Sequence, residues 1–327
     1  MRQSARMGIT MLWETADAAE VLRDRFGFAS EDEAAGWAVR AASEHWGIAA
    51  SACTRIVMSD RNALAWLATD TGQVLLKWCI EPSRFPRLAV AADVVAWLGD
   101  RGLPVSAPVP ARDGSVQVEV DGVSAGLQRV IGGELLDVDD PDAVRSTGRL
   151  IARVHDALAA CPRHDDVAAV RPAPLPLVDQ VTGWLDGAPS HLPPAALDLL
   201  RARLASVPSE PLPVQVVHGD VRSANVLCAD GEVVGLIDFE DLRLDHRVVE
   251  LARGAVLLGT RFHDWGPVDA EVRAAFRRAY ESVSPLSSAE AAWWDVLVLW
   301  TSLAFVPPGD DPTGWGAAAA EQVRRLG

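Results

Sequence analysis

The amino-acid sequence predicts an α+β fold in two lobes: an amino-terminal lobe of antiparallel sheet with helices, then a mainly helical carboxyl-terminal lobe. Three observations lead there. Strand patterns with tight-turn residues fall over about 54–79 and 116–131, either side of one helix, whereas helical spacing with Pro-rich joints prevails beyond about 134. At 327 residues, 49% of them hydrophobic and 23% charged, the chain is also of the size at which a single hydrophobic core splits. Finally, one β-rich island, 214–238, interrupts the helical half. The expected domains are 1–131, with a helical amino-terminal extension, and 132–327.

The elements follow in order. A helix is expected over about 14–26 and another over 30–46, the latter opened by the capping-box pair Ser30 and Glu33 and stopped by Gly47. TRIVMS, NALAWLAT and QVLLKWCI, the last two separated by Asp70-Thr71-Gly72, read as three strands. Residues 87–101 are helical up to Gly102, and the Pro-rich LPVSAPVP is extended. Val116, Val118 and Val120 alternate with polar residues up to the Asp121-Gly122 turn, and a return strand runs through Leu127 to Ile131. Helices are expected over 142–160, 175–186 and 195–205, and again after the island.

Composition excludes several function classes. Thirty Lys and Arg against 45 Asp and Glu give a net charge of -15, spread along the chain, which argues against nucleic-acid binding. Cys53, Cys79, Cys161 and Cys228 form no CxxC pair, so neither a zinc site nor a disulfide framework is signalled, and a reducing cytoplasm is expected. Residues 8–13 are too short for a signal-peptide apolar stretch, and no run of about 18 apolar residues exists to span a membrane. Oligomeric state is not legible.

The island VQVVHGDVRSANVLCADGEVVGLIDFE carries the chemistry. A strand delivers His218-Gly219-Asp220 into a loop, and NVLCA and EVVGLID flank Asp230-Gly231 as a hairpin. Pairing Ala229 with Glu232 sets Asn225 opposite Leu236 and Asp238 opposite Ser223, so Asn225 and Asp238 become diagonal neighbours about 7 to 8 Å apart. Two carboxylates and an amide oxygen gathered there are hard ligands suited to Mg²⁺. Asp, Asn five positions on and Asp thirteen beyond that is also the spacing of kinase catalytic and metal-binding loops.

HGDVRSANVL followed by LIDFED resembles the aminoglycoside phosphotransferase-like (choline kinase-type) small-molecule kinases, whose pattern reads roughly HGDxxxxNxL and then IDF. Lys77 on a central strand, AWLGDRGLPVSAPV, LQRVIGGELL and GRLIARVHDAL fit that family in order, and the resemblance covers about residues 50–255. It implies a two-lobed protein-kinase-like fold and an ATP- and Mg²⁺-dependent phosphotransferase acting on an alcohol group. In that reading Asp220 is the base that orients the acceptor hydroxyl; Arg222, two residues on, is a further candidate from its own chemistry, to contact the transferring phosphate. Asn225 and Asp238 hold Mg²⁺, Lys77 meets the phosphates, and the backbone of Gln128, Arg129 and Val130 bonds the adenine. His218 is read as a structural histidine holding the loop and His155 as a packing residue. Asp241, Asp245 and Glu250 are read as a solvated face whose negative rim would favour a cationic acceptor. The implied acceptor is a small hydroxylated molecule such as an aminoglycoside, another antibiotic, a sugar or an amino alcohol.

The chain departs from the family pattern at named places. The turn expected to cover the phosphates, Met58-Ser59-Asp60-Arg61-Asn62, has no glycine, leaving Ser59 and Asn62 as its donors. The glutamate expected to pair with Lys77 falls on Ala91, with Asp93 the nearest acid, and Arg222 and Glu250 stand where histidine and aspartate are common. Three alternatives stay open: a kinase of peptide Ser/Thr hydroxyls, a pseudokinase-like binding protein, and a metal-dependent hydrolase built from His218, Asp220, Asp238 and His246. The tryptophans at 265, 293, 294, 300 and 315 are read as core, with an apolar acceptor groove as their other use.

Overall fold

The Ser30 hydroxyl accepts the Glu33 N–H at 3.2 Å, and Gly47 closes the same helix in the left-handed conformation, so the local signals read from the sequence set α2 directly. The Glu33 carboxylate turns back to the Ala29 N–H, one residue earlier than a full capping box requires. The structure, a computed structural model, describes residues 8–208 and 210–327. The chain divides into two units, Met1–Ile131 and Gly132–Gly327.

The first unit is built on one six-stranded sheet. Its elements are β1 (Gly8–Met11), α1 (Ala18–Asp24), α2 (Glu31–Trp46), β2 (Ala50–Met58), β3 (Asn62–Thr69), β4 (Gly72–Cys79), α3 (Phe85–Asp100), β5 (Val118–Val120) and β6 (Val123–Arg129). The strand order is β1-β2-β3-β4-β6-β5. All pairs are antiparallel except β1 with β2, a parallel edge strand outside the sequence-based expectation. Four residues are too few to display a period, and β1 is held instead by pairing of Gly8 with Arg55 through Met11 with Met58. The first helix is likewise shorter than the expected 14–26, because Asp17 caps it at Glu20. The return strand starts at Val123, directly after the Asp121-Gly122 turn, and ends at Arg129.

Alternation on β4 buries Val74, Leu76 and Trp78 and leaves Leu75, Lys77 and Cys79 on the other face. Trp78 lies 5.1 Å from Trp37 of α2, and Phe26 and Phe28 each meet it at 6.4 Å in edge geometry. The core thus joins α2 to one sheet face.

The second unit carries β7 (Glu134–Leu135), α4 (Pro141–Ala159), α5 (His164–Val170), α6 (Leu177–Asp186), α7 (Pro194–Leu204), β8 (Gln215–Val217), β9 (Val226–Ala229), β10 (Glu232–Leu236), β11 (Arg243–Asp245), α8 (Arg247–Leu257), α9 (Ala270–Glu281), α10 (Ser288–Ala304) and α11 (Trp315–Leu326). Two small sheets, β10-β9-β7 and β11-β8, sit among the helices. Helices α4 and α9 cross closely at Gly148, where a Cβ would stand 2.4 Å from the Phe276 carbonyl. Among the described residues no helix is long and apolar enough to cross a membrane, and none of the four cysteines is in a disulfide.

The hairpin keeps the expected Ala229–Glu232 pairing but not the register beyond it. Val234 is an extra, bulged residue, so Leu236 faces Val226 rather than Asn225. The Ser146 hydroxyl of α4 anchors the strand just before the bulge, accepting the Val233 N–H at 3.0 Å and donating to Glu232 at 2.6 Å. Asn225 is then met by Ile237, whose N–H donates to its carbonyl at 2.9 Å.

Candidate active site

The loop after β8 is fixed by one buried carboxylate. Glu250 of α8, only 3% exposed, accepts the His218 N–H through Oε2 at 3.0 Å and the Gly219 N–H through Oε1. Its Oε2 also bonds Nε2 of the buried His155 at 2.7 Å, and the other His155 nitrogen meets the Tyr280 hydroxyl at 2.9 Å. Burial pushes the Glu250 carboxyl up, but the His155 hydrogen bond and the charges of His155, His218 and Arg243 more than offset this and hold it at about 2. Gly219 has φ +94°, and a Cβ there would stand 2.1 Å from the Asp241 carbonyl oxygen, so no other residue fits the loop.

The His218 ring accepts the Asp220 N–H at Nδ1 (3.1 Å), which leaves the proton on Nε2 to donate to the Ile237 carbonyl at 3.0 Å. Its face lies 4.4 Å from Phe239, centroid to centroid. With both ring nitrogens committed, His218 ties the loop to the end of β10. A 3₁₀ turn, Ser223–Asn225, follows and is pinned to the end of α8, with the Ser223 N–H and hydroxyl both on the Leu258 carbonyl at 3.0 and 2.5 Å.

Asp220, Arg222 and Asn225 come together. Asp220 Oδ2 accepts Arg222 Nε and Asn225 Nδ2, each at 2.8 Å, and Asn225 Nδ2 is shared with the Asp220 carbonyl at 2.8 Å. Among the described residues no donor meets Asp220 Oδ1 or Asn225 Oδ1, so one carboxylate oxygen and one amide oxygen remain open. The Arg222 guanidinium carbon lies 5.2 Å from the Trp265 ring centre. Asp238 directly follows Ile237, whose N–H and C=O are both held; it is exposed and takes the left-handed conformation, φ +64°.

The donor types, the Asn225 amide oxygen and the exposed Asp238 carboxylate, are hard oxygens of the kind a divalent cation takes. Among the described residues no three His, Cys, Asp or Glu side chains are placed to hold a metal. One carboxylate plus one amide oxygen, completed by phosphates and water, is nonetheless how Mg²⁺ is commonly bound. The hydrolase alternative loses one of its four groups, because both nitrogens of the His218 ring are engaged and neither can ligate a metal.

The remaining residues expected from the sequence to bind the nucleotide lie in the first unit. Lys77 is paired in register with Leu64 and Gly126, in the middle of the sheet. Gln128 and Arg129 pair with Leu75 and Val74, and the Val130 N–H reaches the Gln73 carbonyl at 3.4 Å, so these three end the sheet. Ala91 is buried on α3. The glycine-free turn is closed by its own members: Ser59, 3% exposed, donates its N–H and hydroxyl to the Asn62 carbonyl at 2.8 and 3.3 Å, and its carbonyl accepts Arg25 Nη1 at 3.2 Å. The Ser59 hydroxyl therefore shapes the turn instead of pointing out of it.

Two expectations are corrected. Asp241, Asp245 and Glu250 do not together form a solvated negative rim: Asp245 and Glu250 are buried and Asp245 pairs with Arg243 at 3.2 Å, whereas Asp241 stays half-exposed and pairs with Arg171 at 2.9 Å. Of the late tryptophans, Trp293, Trp294 and Trp315 are core, while Trp265 is 38% exposed. Glu250 was legible as an acid within the otherwise apolar arc of α8, where burial demands a partner. Arg253, three residues on, carried no such signal.

A family model described as the phosphotransferase enzyme family matches residues 55–294. Among curated relatives, a homoserine kinase of Methylobacillus flagellatus is 27% identical over 238 residues, covering 71% of this chain and 71% of its own. Among solved structures, a macrolide 2'-phosphotransferase from Brachybacterium faecium superposes with a TM-score of 0.62 at 17% identity, covering 90% of this chain and 96% of that one. A microcompartment-associated aminopropanol kinase gives 0.58 at 19%, covering 89% and 94%. The chain belongs to the phosphotransferase enzyme family, and its α+β fold is that of these kinases.

Proposed function

We propose that this member of the phosphotransferase enzyme family moves the γ-phosphoryl group of ATP to a hydroxyl of a small molecule, with Mg²⁺. The observation that carries the reading is the state of Asp220: one carboxylate oxygen is clamped by Arg222 and Asn225 and the other is open. A base that must accept a hydroxyl proton in line with a phosphorus atom needs this, since orientation supplies much of phosphoryl-transfer catalysis. The acceptor O–H bond breaks with its proton passing to Asp220, and the acceptor oxygen bonds the γ-phosphorus. The bond to the β,γ-bridging oxygen breaks, and ADP leaves with the electron pair.

Asn225 Oδ1 and the Asp238 carboxylate would hold Mg²⁺, which supplies neutralisation of the charge shared by the phosphates. Lys77 would meet the nucleotide phosphates, the 58–62 turn would cover them through its backbone and Asn62, and Gln128, Arg129 and Val130 would receive the adenine. The first unit is thus the nucleotide-binding domain, and the second carries the catalytic hairpin and the acceptor site. Arg222, beside the base, would contact the transferring phosphoryl group. The names of the relative and neighbours, kinases of homoserine, a macrolide and aminopropanol, support a small hydroxyl acceptor.

Asp220→Asn tests it. With the hydrogen bonds from Arg222 and Asn225 still possible and the base gone, transfer should fall by roughly 10²- to 10⁴-fold, while Mg²⁺-ATP binding measured by calorimetry is retained. Transfer at the wild-type rate would remove Asp220 from the base role.

A further inference from the structure

Arg253 is a charge without a partner. It projects from α8 and is partly buried, and burial, with Arg243 nearby, lowers its pKa. Among the described residues it makes no hydrogen bond and no ion pair, and its guanidinium carbon lies over the Phe305 ring, 5.8 Å from the centre. The carboxylates that act on it through space, Asp220, Asp241 and Glu250, are engaged elsewhere: Asp220 with Arg222 and Asn225, Asp241 with Arg171, Glu250 with His155 and the loop N–H groups. A partly desolvated, unpaired cation opposes folding. Such a group is explained when a ligand completes it.

Its neighbours lead back to the base. Phe305 lies 6.4 Å from the exposed Trp265, and Arg222 covers Trp265 at 5.2 Å while spending only Nε on Asp220. Among the described residues the terminal nitrogens of both arginines are thus uncommitted, at the two ends of an aromatic pair. The carboxylates around the loop are held by other groups, Asp220 by Arg222, Asp241 by Arg171, Asp245 by Arg243 and Glu250 by His155 and the loop N–H groups, so among the described residues Arg253 has no ion-pair partner. That opposes the cationic acceptor expected from a negative rim of Asp241, Asp245 and Glu250, since those carboxylates are taken and a cation is left.

We propose that the row Arg222–Trp265–Phe305–Arg253 is the acceptor subsite and that it selects a small hydroxyl compound bearing a carboxylate, held by Arg253 while its hydroxyl faces Asp220. A carboxylate matches the planar guanidinium fork, and its single charge balances the single unpaired cation, which a doubly charged phosphate ester would exceed. The proposal rests on the phosphotransferase reading and adds the acceptor class to it; the transfer step is unchanged.

The test uses matched acceptors: serine with ethanolamine, L-homoserine with 3-amino-1-propanol, and 4-hydroxybutyrate with 1-propanol, each second member lacking only the carboxylate. ADP release and labelled product are followed with the full chain and Mg²⁺-ATP. At least one acid should be phosphorylated with kcat/KM tenfold or more above its counterpart. Equal or better transfer to the alcohols overturns the acid preference and leaves the phosphotransferase reading standing. No transfer to any acid also overturns it, and calorimetry of Mg²⁺-ATP then shows whether the wider reading falls too.

Arg253→Gln should cut the acid-over-alcohol ratio at least tenfold, mainly through KM of the acid, and Arg253→Lys should recover part of it. Because an unpaired charge is removed, Tm without acceptor should hold or rise. A lower Tm with the acid preference intact would make Arg253 a packing residue on Phe305 and overturn the proposal.

Discussion

Removing the Glu250 carboxylate should damage stability and turnover together. In Glu250→Gln an amide NH₂ replaces one of two oxygens that now receive the His218 and Gly219 N–H groups and the His155 ring, so a donor is set against donors. The magnitude follows from the carboxyl's own titration. Unfolded, it titrates near its ordinary 4.5; folded, at about 2. A folded-state pKa below the unfolded one means stabilisation that is complete above about 4.5 and is lost as pH falls from there toward 2. The difference amounts to about 3 kcal/mol at neutral pH. For a unit of roughly 200 residues this is a fall in Tm of roughly 6 to 12 °C.

The loop that carries Asp220 loses its anchor in the same variant, so kcat should drop roughly 10- to 100-fold, as a misplacement near 1 Å costs. Scanning calorimetry between pH 2 and 7, with transfer assayed at neutral pH, reads both effects. The wild type should lose stability relative to the variant as pH falls through 4 and 3, until the two converge. A variant within 2 °C of the wild type at pH 7 and within twofold in kcat would refute the reasoning, because the carboxylate would then hold nothing that matters.

Gly219→Ala places a Cβ 2.1 Å from the Asp241 carbonyl at a positive φ, and should cost roughly 3 kcal/mol or more; near-native Tm and activity would show that the loop has another conformation. Asp238→Asn keeps a side chain that tolerates the left-handed backbone and removes only charge. A partly screened charge pair is worth about 1 to 4 kcal/mol, so the Mg²⁺ dependence of nucleotide binding should weaken tenfold or more. Unchanged dependence by titration calorimetry would move the metal to other residues.

Signals confined to neighbouring residues are legible in the linear chain. Helix α2 follows from Ser30 and Gly47, the β3–β4 and β9–β10 hairpins from Asp70-Thr71-Gly72 and Asp230-Gly231, and the pairing of Ala229 with Glu232 from turn length alone. Asp220, Asn225 and Asp238 stand out because their chemistry requires fixed spacing along one loop and hairpin, which a linear chain displays directly. What it cannot display is which distant groups meet. The bulge at Val234 comes with α4 through Ser146, and Ser59 is turned inward with Arg25 behind it, 34 residues earlier. Glu250 becomes an anchor because α8 packs under the loop, with His155 and Tyr280 arriving from α4 and α9. Arg253 becomes an unpaired charge because the carboxylates acting on it are taken by other partners. Spacing and turn chemistry are local properties of the covalent chain, whereas burial and charge pairing depend on folded neighbours far apart in sequence.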